Sequence, residues 1–94
     1  METKDFETIA KTLIEFSDMF NTESVFKAIA KDIADSESII PDELELVKYA
    51  FKKVLKKYND QMEICKKSTS NDMLDLIPKY RESIEKLQAV FSKL

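Results

Sequence analysis

The side chains best suited to chemistry in this chain are Tyr49, Lys52, Lys53, Lys56 and Lys57, all on one short stretch. Ammonium groups neutralise phosphates or carboxylates, and a tyrosine ring among them offers a stacking face and a hydroxyl. If the stretch is helical, a rotation of about 100° per residue sets Tyr49, Lys52, Lys53 and Lys56 opposite Phe51. Lys57 and Lys48 then flank the apolar side. Such a face can dock a protein of opposite charge, or bind nucleic acid or an anionic membrane. It can also be plain helix solvation, with Lys56 and Asp60, or Glu63 and Lys67, as i,i+4 pairs.

Other chemistry finds little material. Cys65 is the only cysteine and there is no histidine, so the thiol lacks its usual activating base. On an apolar stripe it reads as a small buried hydrophobe. The absence of histidine also removes the commonest metal ligand and the Glu-x-x-His pattern of di-iron bundles. Glu43 with Glu45, and Asp72 with Asp75, are carboxylate pairs, but both lie in first helical turns, where capping and the helix dipole account for them. With no glycine, no loop of the phosphate-cradling kind can be built. The expectation is a protein without catalytic residues, cofactor or metal.

Charge is divided along the chain. Residues 1–47 hold four lysines against twelve carboxylates, whereas 48–67 hold seven lysines against Asp60 and Glu63. The net charge of −3 conceals this division. The acidic half has two possible roles. It can neutralise the lysines within the molecule, or leave them for a partner.

Four apolar stripes position these residues. Thr3 to Phe20 carries Phe6, Ile9, Leu13, Phe16 and Phe20 at three and four, with Thr3 as a cap. Asn21 and Thr22 break that pattern, and either can cap a second, short helix over about Glu23 to Asp35. Its inner side is Phe26, Ile29 and Ile33, with Val25 and Ala30 beside it. Ile40 precedes a proline and should lie outside both neighbouring helices. Ile39 or Ile40 should staple the start of the third helix; left bare, this corner would be an apolar contact for a partner.

The third helix, Pro41 to Lys67, carries Leu44, Val47, Phe51, Val54, Tyr58, Met62 and Cys65. Pro41 suits its first position, and acids follow it in the first turns. A polar loop, Ser68 to Asn71, leads to a last stripe: Met73, Ile77, Tyr80, Ile84, Leu87, Phe91 and Leu94. Pro78 must either kink this last helix or follow a separate first turn ending near Leu76.

Ninety-four residues, 44% of them hydrophobic, make one domain with one core. Without glycine, and without sustained apolar–polar alternation, sheet has no support. The fold expected is all-α: a compact antiparallel bundle of four helices, or of three with one broken near Asn21. No apolar run approaches a membrane span and no secretory core follows Met1, which points to the cytoplasm.

The function expected is non-enzymatic protein–protein interaction, as an adaptor, inhibitor or immunity-type module. The alternative is an anionic-surface binder using the same lysines. A homodimer is also open, because the last stripe runs to Leu94 and Phe20, Ile39 or Ile40 can remain uncovered. The inferred architecture is similar to that of small helical immunity and inhibitor proteins, and of crescent-shaped membrane-curving helix dimers. No residue motif in this chain belongs to either.

Overall fold

The computed structural model describes residues 1–21 and 24–94. Its elements are α1 (Thr3–Met19), α2 (Val25–Ser36), α3 (Pro41–Lys66), the single turn α4 (Asn71–Leu74) and α5 (Ile77–Phe91). This is the all-α bundle expected, with four long helices and no strand among the described residues. The expected cap at Thr22 and helix start at Glu23 lie outside those residues.

Each helix end has a local cause. Glu2, not Thr3, caps α1; its backbone N–H donates to Asp5 Oδ2 at 2.9 Å. Asp5 also accepts from Lys93 Nζ at 3.1 Å, which ties the start of α1 to the end of the chain. At the other end of α1, Asn21 takes φ 48°, a left-handed conformation that asparagine tolerates better than most residues. Glu37 ends α2 at φ 51°, and its N–H donates to the Ile33 carbonyl at 2.9 Å. Glycine normally fills such a position. Glu37→Gly should therefore stabilise the fold by up to about 1 kcal/mol in urea unfolding, while an unchanged or lower midpoint would show that Glu37 is not strained.

Ile40 stands in extended backbone (ψ 135°) between α2 and α3, and Pro41 opens α3. Of the two staple candidates, Ile39 packs against the core and Ile40 is exposed. At Pro78 the second alternative holds: α4 is a separate turn, and α5 begins at Ile77 with the proline in its first turn.

One hydrophobic cluster joins the four long helices. Phe6, Ile9, Leu13 and Phe16 of α1 meet Phe26, Ile29, Ala30 and Ile33 of α2. Val47, Ala50, Phe51 and Val54 of α3 and Leu87 and Val90 of α5 complete it. Val25, expected beside the α2 stripe, instead lies exposed. Helix α3 runs antiparallel to α5, with Phe51 near Phe91 and Tyr58 near Tyr80.

At 26 residues α3 is about 39 Å long, most of the 45 Å long dimension of the molecule. Its last turns extend past the main core. Cys65, on those last turns, is buried outside the central cluster, as expected for a cysteine acting as a small hydrophobe.

The Asp5 contacts carry a pH consequence. The Glu2 backbone N–H, then the Lys93 ammonium, hold its carboxyl below the ordinary 3.8. A depressed folded value stabilises the fold above the unfolded value, and that stability is lost as pH falls through the folded one. Asp5→Asn should lower the urea midpoint at pH 7, and the gap to wild type should close as pH falls through the lowered folded value. A gap that stays constant across that range would rule out the carboxylate as its cause.

Candidate docking face

Lys52, Lys53, Lys56 and Lys57 all lie exposed on the side of α3 away from the core. Tyr49 is half exposed at 50% and also packs against α1. Its ring meets Phe16 edge-on at 5.8 Å, and Lys53 Nζ sits 5.5 Å from its centroid. Phe16 in turn contacts Phe20 at 5.2 Å and Phe26 at 4.7 Å. A chain of rings therefore runs from the core out to Phe20 and Tyr49.

Phe20 is where the structure adds to the sequence. It is 41% exposed at the end of α1 and shares an open depression of about 300 Å³ with Lys53, Lys56, Lys57 and Asp60. Three ammonium groups and one aromatic ring thus surround one small concavity. Lys52 and Tyr49 stand beside this depression and do not line it. The signal for Phe20 was its place as the last member of the α1 stripe, immediately before the break at Asn21. Linking it to the lysines required the packing of α1 on α3.

The ion pairs show which of these charges meet directly. Lys56 holds Asp60 at 2.9 Å within its own helix, and Lys66, not Lys67, holds Glu63 at 3.3 Å. Lys27 pairs with Asp18 at 3.0 Å and Lys93 with Asp5. Among the described residues, no carboxylate of α1 or α2 pairs with the lysines of α3. The positive face is balanced in direct contact only by Asp60. Exposed pairs of this kind contribute little to stability.

A second, larger groove of about 450 Å³ opens where α1 and α5 part over α3, and nothing in the sequence signalled it. Lys4, Glu7, Lys11 and Glu15 alternate in sign along its α1 wall, opposite Lys86. That alternation is the pattern of a self-compensating helix face. Tyr58 closes one end by donating its hydroxyl to the Glu15 carboxylate. Burial, then that carboxylate, push Tyr58 well above the ordinary tyrosine range, so it remains a neutral donor.

Among the described residues, no three metal-ligating side chains gather in one place, and no helix is long and apolar enough to cross a membrane. No family model, curated protein or solved structure matches the chain, so its own residues carry the functional reading.

Proposed function

We propose that this chain is a non-enzymatic binding module that docks a protein surface through the outer face of α3 and the adjoining end of α1. The observation supporting this reading is the exposed Phe20 set among Lys53, Lys56 and Lys57 in one depression. An apolar centre with a charged rim is the usual anatomy of a protein contact, in which a few aromatic anchors supply most of the energy. The surrounding ammonium groups steer an acidic partner and set the orientation of docking. Adaptor, inhibitor and immunity-type roles all use such a surface.

Affinity capture from native extract with wild type beside Phe20→Ser tests the apolar centre. The serine variant should retain helicity, since Phe20 lies outside the buried core, and should lose the retained protein. Capture that persists in the variant would remove Phe20 from the face. The competing use of the same lysines, on nucleic acid or phospholipid, differs in salt response. A phosphate contact weakens steeply with salt, while a contact centred on Phe20 persists.

A further inference from the structure

We propose that the outer face of α3 pairs with the same face of a second copy of the chain, antiparallel, about a two-fold axis at Tyr49. This rests on the docking reading of that face and names its partner. Along the outer side of α3, Asp42, Leu46, Tyr49, Lys53 and Lys56 recur at four and three, the spacing of a helix–helix seam. Glu45 and Lys52 stand directly beside that seam, and all seven residues are exposed. Leu46 is 41% exposed and Tyr49 50%, which gives the seam an apolar middle. Its first half is acidic and its second half basic.

A face built this way is complementary to itself when reversed. With Tyr49 opposite Tyr49 of the second copy, Asp42 faces Lys56 of that copy and Glu45 faces Lys53. Leu46 lies along the aliphatic stem of Lys52. The two-fold axis repeats every contact, as an isologous interface requires.

A parallel pair and a register shifted toward the lysines both fail on charge. A parallel pair would set Asp42 on Asp42 and Lys53 on Lys53. Moving the axis to the Lys52–Lys53 bond would set those lysines against each other and Glu45 against Asp60. Among the described residues, Asp42, Glu45, Lys52 and Lys53 enter no ion pair within the chain, and Lys56 holds only Asp60.

From Asp42 to Lys56 the seam is about 21 Å long, with Phe20 flanking its lysine end. A contact of that length falls toward the small end of specific interfaces, so the dimer is a weak, salt-sensitive one.

Sedimentation equilibrium of the full chain tests the pairing at about 200 µM and low salt, conditions suited to a small charged interface. Wild type should give twice the 10.9 kDa chain mass. Asp42→Lys/Glu45→Lys alone and Lys53→Glu/Lys56→Glu alone should each give the chain mass. An equimolar mixture of the two variants should return the doubled mass, because each of the four charged seam contacts then opposes unlike charges. Wild type at the chain mass, variants that dimerise as wild type does, or a mixture that fails to associate would each overturn the pairing.

Circular dichroism checks that the exposed substitutions leave helicity unchanged, and Tyr49→Cys supplies an independent register test. Under mild oxidant it should form a reducible dimer that wild type, whose Cys65 is buried, does not. A monomeric wild type that still captures another protein through its lysines would sink the pairing and leave the docking reading intact. Capture indifferent to the lysines would sink the docking reading itself.

Discussion

Phe51→Ala should lower the unfolding free energy by about 3–5 kcal/mol, the range for removing a buried phenylalanine ring. The reason is position. Phe51 has no solvent exposure, sits midway along the longest helix, and is flanked by Val47, Ala50 and Val54, which are equally buried. Its ring lies 6.1 Å from that of Phe91, where α3 meets α5, within the same cluster that α1 and α2 enter. Small domains have about 5–15 kcal/mol in total, so this one change removes a large share. Urea unfolding followed by circular dichroism measures it. A loss under about 1 kcal/mol would mean that the four helices do not share the cluster at Phe51.

Reversing charge on the docking face should be comparably severe for binding and nearly silent for folding. Lys52 and Lys56 are exposed, and Lys56 pairs only with Asp60 on its own helix, so Lys52→Glu/Lys56→Glu should leave the urea midpoint within about 0.5 kcal/mol of wild type. Against an acidic partner, however, each substitution replaces an attraction by a repulsion and slows the steered encounter. Two reversals near one aromatic anchor should weaken affinity by about 100-fold or more. Titration calorimetry with the captured partner measures the ratio. Affinity within a factor of about three of wild type would exclude these lysines from the interface.

Helix type, order and core were legible because apolar spacing repeats only one way. Val47, Phe51 and Val54 can share a buried stripe only on a helix, and Pro41 fixes where that helix starts. Boundaries were less legible, because capping is decided by short-range hydrogen bonds between interchangeable polar residues. Glu2 took the role expected of Thr3 through Asp5, whose second partner, Lys93, comes from the far end of the chain. Likewise Lys66, one residue nearer than Lys67, took Glu63.

Of the candidate face, the lysines and Tyr49 were legible from helical rotation alone. Phe20 was legible as a ring that could stay uncovered, but its link to Lys53, Lys56 and Lys57 was not, because that depends on where α1 crosses α3. The groove between α1 and α5 was hidden for the same reason. It depends on how far apart two helices pack, and no single helix encodes that distance.

The most direct measurement is protein capture from native extract at physiological salt, on immobilised wild type beside Lys52→Glu/Lys56→Glu of equal helicity. The docking face predicts a protein retained by wild type and lost by the variant. Equal retention by both would contradict it and move the contact to Ile40 or another exposed apolar site. Nucleic acid or lipid, retained by wild type and released by modest salt, would contradict it in favour of an anionic surface.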